Sequence, residues 1–149
     1  KIEESLLSKT RDFHHKIMGF DKSPSAVEKA TQNVENAKLE DFIYIKHEDF
    51  FKTQKGGEEH LHMVFNPPYG ERLDIEMETF YSSIGSTLKH KYPGTHAWMI
   101  SSNLEALKHV GLRPSRKIKL FNAKLEARFS KYEMYAGTKK THKLEAKND

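Results

Sequence analysis

Cysteine is absent from this 149-residue chain, which removes disulfides, thiolate metal sites and cysteine nucleophiles together. Long apolar runs are absent too. Hydrophobic residues make up 36% of the chain and charged residues 31%, and no stretch is long enough to span a bilayer. The first residues show no basic segment followed by an apolar one, so they do not read as a secretory leader. These absences are compatible with a cytoplasmic protein that has no membrane partner. The length fits one domain, or most of one, with enough chain for a real core.

What is present begins with charge. Twenty-five Lys and Arg stand against 21 Asp and Glu, and the excess is uneven. Arg113, Arg116, Lys117 and Lys119 fall in an acid-free stretch. The tail after Gly137 adds Lys139, Lys140, Lys143 and Lys147 against Glu145 and Asp149. Basic stretches attract phosphate through counterion release, which makes nucleic acid a reasonable partner. A solvated face with a frayed tail accounts for the same charges.

Strand and helix patterns alternate along the chain. "KIMGFD" reads as a short buried strand ending in an acid. Ala26, Val27, Ala30, Val34 and Ala37 then recur at helical spacing. Ser25 and Glu28 have capping-box spacing, and Pro24 suits a first turn. "FIYIKHEDFF" and "LHMVF" read as further strands. Met77, Phe80, Tyr81, Ile84 and Leu88 form one helical stripe expected to be core, stopped by "YPG" at 92–94. "HAWMIS" is a fourth strand, in which Trp98 is expected to pack. A short helix follows, with Ser102 and Glu105 as its capping box and Gly111 as its terminator. "KIKLF" and "KLEARFSKYEMY", separated by Asn122 and Ala123, predict an antiparallel hairpin. Residues 138–149 are polar throughout and are expected to be disordered.

This order predicts an α/β fold, a sheet with helices on its faces. In such sheets ligands sit at the carboxyl ends of the strands. Asp21, Asp49 and Asn66 end three successive strand segments. Each is accounted for singly as a turn or cap residue; together they can line one crevice. A carboxylate such as Asp21, between a strand and a helix, can accept two hydrogen bonds from a ribose diol. Asp49 can accept from a purine amine, with Phe50 or Phe51 packing beside the ring.

"VFNPPYGER" (64–72) is the least ordinary stretch. Pro67 and Pro68 lack N–H groups and have fixed φ, so they hold the preceding carbonyls in set directions. The Asn66 side-chain oxygen and a proline carbonyl can then both accept from one NH₂ group. An amine held by two acceptors loses resonance with its ring and exposes its lone pair to an electrophilic methyl group. Tyr69 offers a flat face to a base, worth about 1–3 kcal/mol in stacking. A base must leave its stack to enter such a pocket.

"NPPY" after a strand resembles the amine-methylation motif of class I S-adenosylmethionine-dependent methyltransferases. "GFDKSPSAVEKATQNVENAKLEDFI", "EDFF", "FNPPYGERL" and "LFNAKLEARFSKYEMYAG" are together similar to the catalytic domain of a bacterial family. That family pairs a THUMP RNA-binding domain with a methylase and includes 23S ribosomal RNA guanine-N2 methyltransferases. Its members are often labelled N6-adenine DNA methylases because of NPPY. The resemblance spans about Lys16 to Gly137 and implies a Rossmann-like class I methyltransferase sheet with a C-terminal antiparallel hairpin. It implies S-adenosylmethionine as cofactor, held by Asp21 at the ribose and by Asp49 and Phe50 at the adenine. It also implies that Asn66, Pro67, Pro68 and Tyr69 seat the target amine and base, with Asn66 next to the cofactor. Gly70, Glu71 and Arg72 match the family's extension, with Arg72 at phosphate or holding the loop.

Two features depart from that family. Lys22 replaces an expected apolar residue after the ribose acid. The family's first strand and its Gly-rich loop have no counterpart; the one glycine pair, Gly56-Gly57, lies elsewhere. The expectation is a partial methyltransferase domain over 1–137, the C-terminal part of a longer enzyme with an upstream THUMP domain. As a fragment it is expected to be poorly active and, through an unpaired sheet edge, open to dimerisation.

Three functions stay open: guanine-N2 methylation of 23S rRNA, adenine-N6 methylation of DNA or RNA, and a non-catalytic nucleic-acid-binding module. His60 and His62 lie two apart beside a strand, but no third histidine or carboxylate cluster stands at a recognisable spacing. Surface placement is the reading, and no metal site is expected.

Overall fold

The structure, a computed structural model, describes residues 1–57, 59–70 and 73–136. Glu71, Arg72 and the tail at 138–149 lie outside the described residues. The chain divides into two compact units, Lys1–Thr53 and Gln54–Asp149.

The first unit contains α1 (Ile2–Leu7), β1 (Ile17–Asp21), α2 (Pro24–Asn36), β2 (Ile43–His47) and a 3-10 turn, Phe50–Lys52. β1 and β2 are parallel, in register from Ile17↔Ile43 to Asp21↔His47, with α2 as the crossover that parallel pairing needs. The helix start falls at Ser23, whose Oγ accepts from Ala26 N at 3.4 Å, two residues before the expected Ser25–Glu28 box. Pro24 accounts for the difference: its fixed φ and missing N–H suit the first helical position, which leaves the cap to Ser23. Ala26, Val27, Ala30 and Val34 make the half-buried face, while Ala37 is the exposed C-cap.

β1 is not the buried strand expected from its sequence. Ile17, Met18 and Phe20 are each about half exposed, and no residue of 1–53 is fully buried. A two-stranded sheet with one crossover helix is too thin a layer to enclose side chains on both faces.

The second unit holds the core. Its elements are β3 (Leu61–Phe65), α3 (Ile75–Lys91), β4 (Thr95–Ser101), α4 (Leu104–Leu107), β5 (Arg116–Asn122) and β6 (Leu125–Glu133). They form a sheet in the order β3-β4-β6-β5. β3 and β4 are parallel, and β6 runs antiparallel to both β4 and β5. The predicted hairpin is present: Asn122 pairs with Leu125, leaving Ala123 and Lys124 as a two-residue turn with Ala123 at φ 54. Such turns need a residue of positive φ to match strand twist.

Burial along β4 alternates strictly, with Thr95, Ala97, Met99 and Ser101 inward. Tyr81, Ile84 and Leu88 of α3, with Ala127 and Tyr132 of β6, are also fully buried. Each large apolar side chain so enclosed contributes roughly 1.5–3 kcal/mol. Met77 and Phe80 of the predicted stripe are only half-buried. Asp74 caps α3 by accepting from Met77 N at 2.8 Å. Trp98 stacks on Phe129, ring centroids 4.6 Å apart, as a packing residue does.

Gly85 sits where α3 passes closest to the chain end of α4, and a Cβ built there would overlap the Val110 carbonyl. Gly85→Ala gains about 1 kcal/mol of helix propensity, but overpacking against backbone costs typically 1–3 kcal/mol or more. The substitution should therefore lower the urea midpoint, whereas an exposed helical glycine would show the reverse. An unchanged or raised midpoint would contradict this packing.

Candidate active site

The two units bring the expected residues together in two groups. In the first, the parallel register sets Asp21 beside His47, so Asp21 and Asp49 lie at the same, carboxyl end of β1 and β2. His47 Nε2 and the Lys22 carbonyl are 2.8 Å apart, and Glu48 N donates to the Asp21 carbonyl at 3.0 Å, which ties the two strand exits together. Asp21 Oδ1 accepts from Ser23 N at 2.7 Å. Its carboxylate is exposed, with the other oxygen making no hydrogen bond among the described residues. An exposed carboxylate with one oxygen open fits a diol partner. Asp49 caps the 3-10 turn, its Oδ1 accepting from Phe51 N at 3.1 Å. Phe50 and Phe51 stand edge to face with centroids 5.5 Å apart. Both carboxylates therefore have the turn role that such residues usually have, and both remain at a strand end.

In the second unit the corner is built at the carboxyl end of β3. Pro67 is buried, Tyr69 half-buried, and Asn66 and Pro68 exposed. Proline has no N–H to offer a neighbouring strand, so the chain here is held through its carbonyls. The Tyr81 hydroxyl, on α3, donates to the Pro68 carbonyl at 3.1 Å and lies 2.6 Å from Ser101 Oγ at the end of β4. Asn103 Nδ2 donates to the Tyr69 carbonyl at 2.6 Å. Asn103 N in turn donates to Ser101 Oγ at 3.1 Å, and Asn103 Oδ1 accepts from Ala106 N at 3.0 Å. Two successive carbonyls of the corner are thus each held by a side chain from a different element. The Asn66 amide makes no hydrogen bond among the described residues, which leaves its oxygen open to a ligand.

An open cleft of about 550 Å³ adjoins the corner, lined by Tyr69, Gly70, Leu73, Ser102, Asn103 and neighbouring residues. It is large enough for a nucleobase. Gly70 leaves the corner at φ 66, a left-handed geometry that favours glycine.

The supporting set was not visible as such in the sequence. Tyr81 reads as one member of the core stripe, and Ser102, expected to cap α4, does not. Asn103 takes the cap, and the Ser102 hydroxyl is left without a partner among the described residues. The one sequence signal was the polar "SSN" at the end of β4. His60 and His62 also stand differently from expectation: His62 pairs in register with His96 of β4, a third histidine alongside them.

An α/β fold with an Asn-Pro-Pro-Tyr corner at a strand's carboxyl end is in keeping with the class I methyltransferases that the sequence resembles. The family model described as "RMKL-like, methyltransferase domain" matches residues 2–131, and the chain belongs to that family. A ribosomal RNA large subunit methyltransferase K/L of Syntrophotalea carbinolica is 32% identical over 123 residues, covering 79% of this chain and 17% of that protein. Its namesake in Hahella chejuensis is 30% identical, over 90% of this chain and 19% of that one. The chain therefore spans less than a fifth of the length of these relatives. Among solved structures, SMU.472 complexed with SAH superposes with a TM-score of 0.79 at 24% identity, over 91% of this chain and 36% of that one. A predicted N6-adenine-specific DNA methylase from Listeria monocytogenes gives 0.66 at 28% identity, over 79% of this chain and 30% of that one.

Burial raises the Tyr81 hydroxyl above the ordinary tyrosine value of 10.0, with the Ser101 hydrogen bond opposing and the Tyr69 phenol adding to the rise. The folded state therefore holds this proton to higher pH than the unfolded chain does. The stabilisation is complete below about pH 10 and is lost as pH rises through the folded value. Tyr81→Phe should cost about 1–3 kcal/mol at neutral pH by leaving the Pro68 carbonyl without its donor and the Ser101 hydroxyl without its partner. It should also flatten the alkaline fall in the urea midpoint; buried Tyr132, raised in the same way, carries the remainder. An unchanged alkaline fall in Tyr81→Phe would contradict this.

Proposed function

We propose that this domain transfers a methyl group from S-adenosylmethionine to an exocyclic amine of a base in large-subunit ribosomal RNA, with N2 of guanine as the target atom. The observation that carries the proposal is the corner at Asn66, Pro67, Pro68 and Tyr69, with its carbonyls held from behind and its asparagine oxygen open. The names of the K/L relatives support ribosomal RNA. The guanine assignment rests on the sequence resemblance to the guanine-N2 branch.

The chain's residues account for most of the chemistry. The Asn66 side-chain oxygen and the carbonyl of Pro67 accept the two amine hydrogens, turning the nitrogen lone pair out of the ring. Tyr69 stacks on the base. Held this way, the amine nitrogen would face the methyl group that a bound cofactor supplies, and the proton it sheds on transfer would leave to water. When bound, the cofactor supplies the activated methyl group as a sulfonium. Asp21 would hold its ribose, and Asp49 with Phe50 its adenine. Arg116, Lys117 and Lys119, exposed on β5, are suited to RNA phosphates. We further propose a cytoplasmic parent enzyme with an upstream THUMP domain to capture RNA, and pairing of exposed sheet edges when the domain is alone.

A second reading is adenine-N6 methylation, favoured by the name of the Listeria structure and by the fact that the corner grips any ring amine. Labelled cofactor, unmodified ribosomal RNA and the complete enzyme, followed by digestion to nucleosides, separate the two. Labelled N2-methylguanosine is expected; labelled N6-methyladenosine would replace the first reading with the second. Asn66→Ala should lower turnover at least about 100-fold, the scale for losing one preorganised polar group, with cofactor affinity nearly unchanged. Asp21→Ala should do the opposite, weakening cofactor binding roughly 10- to 150-fold for the loss of one charge-assisted bond. Equal effects of both variants on cofactor binding would contradict the division of roles.

A further inference from the structure

His60, His62 and His96 stand together on the second unit's sheet. His60 and His62, two apart in an extended segment, point to one face. The register sets His96 of β4 directly beside His62 of β3. The three imidazoles lie with centroids 4.4 to 5.6 Å apart. One nitrogen from each falls within 4.8 Å of the others. Tetrahedral zinc with zinc–nitrogen bonds near 2.0–2.1 Å brings its ligands to roughly 3.3 Å of one another. Small side-chain rotations close that difference, and His60 and His62 are exposed.

The surroundings are mixed in charge. Glu133 of β6 pairs in register with His96, and its Oε1 lies 3.8 Å from His96 Nε2. Lys131 is 3.1 Å from the same carboxylate and opposes a cation, which Glu133 offsets. A carboxylate beside a ligating imidazole is the usual outer partner that orients it.

We propose that His60, His62 and His96 form a binding site for a zinc-class divalent transition metal, with water in the fourth position and Glu133 orienting His96. The donor set, three imidazoles and no thiolate, suits zinc, copper or nickel and not magnesium or calcium. The site lies away from the proposed chemistry. His62 precedes Asn66 by four residues, about 13 Å along a strand, and lies toward the amino end of β3 while the corner is at the carboxyl end. The metal ties edge strand β3 to β4, a structural role that leaves the fourth position to solvent.

The single tryptophan reports on the site, because Trp98 lies two residues from His96 on the same face of β4. Copper(II) titrated into the protein should quench Trp98, and the quenching should be lost in the His60→Ala/His62→Ala double variant. Equilibrium dialysis should show one zinc per chain. His60→Ala and His62→Ala, both at exposed positions, should each weaken zinc binding at least about tenfold, the scale for losing a supporting ligand contact. Circular dichroism should show both variants folded. Zinc should raise the melting temperature of the protein but not that of the His60→Ala/His62→Ala double variant. Zinc affinity equal in the protein and the folded double variant would overturn the site, as would equal copper quenching in the two.

Discussion

The Tyr81 hydroxyl is the hinge of the second unit. One phenol from α3 reaches the Pro68 carbonyl beyond β3 and the Ser101 hydroxyl at the end of β4, and so joins three elements at one buried point. Two prolines in succession deny the chain the N–H groups by which a strand end is usually steadied. Side chains therefore hold the corner, and they hold carbonyls. Asn103 repeats the arrangement one residue on, binding the Tyr69 carbonyl while capping α4. The core around Tyr81 fixes where that hydroxyl can be, so hydrophobic burial in α3 becomes positional accuracy in a polar corner.

This division of labour explains why the corner can face ligand without collapsing. Its backbone acceptors at Pro68 and Tyr69 are satisfied from behind, while the Asn66 amide is left open. A polar group already placed costs little reorganisation when a ligand arrives, which is the basis of electrostatic preorganisation. The first unit supplies a complementary feature in simpler form: two carboxylates brought to one end of a parallel strand pair by register alone.

Much of this could be read from residues. Strand and helix identities followed from periodicity, the hairpin from two alternating runs, and the corner from the chemistry of Asn-Pro-Pro-Tyr. Three things could not. The helix cap at Ser23 depended on which side of Pro24 the chain turned. The exposure of β1 depended on how many layers cover it, which apolar residues such as Ile17 and Phe20 do not state. The roles of Tyr81 and His96 were hidden because each depends on a partner remote in sequence. Tyr81 lies 13 residues from Pro68 and 20 from Ser101, and His96 meets His62 only through strand pairing. A stripe residue and an isolated histidine look ordinary until the sheet register is known.

The parallel pair β3–β4 thus has two differently equipped ends: a rigid carbonyl-rich corner at one and a cluster of imidazoles at the other. The central claim is that support from Tyr81 makes the corner competent for transfer. The direct test is turnover by the complete enzyme carrying Tyr81→Phe, measured with saturating cofactor beside an independent measurement of cofactor affinity. The account predicts a lower kcat with cofactor affinity unchanged, because the phenol holds the Pro68 carbonyl and through it the corner on which the proposed amine acceptors, Asn66 and Pro67, are set. An unchanged kcat in a folded variant, or a loss confined to cofactor affinity, would contradict it.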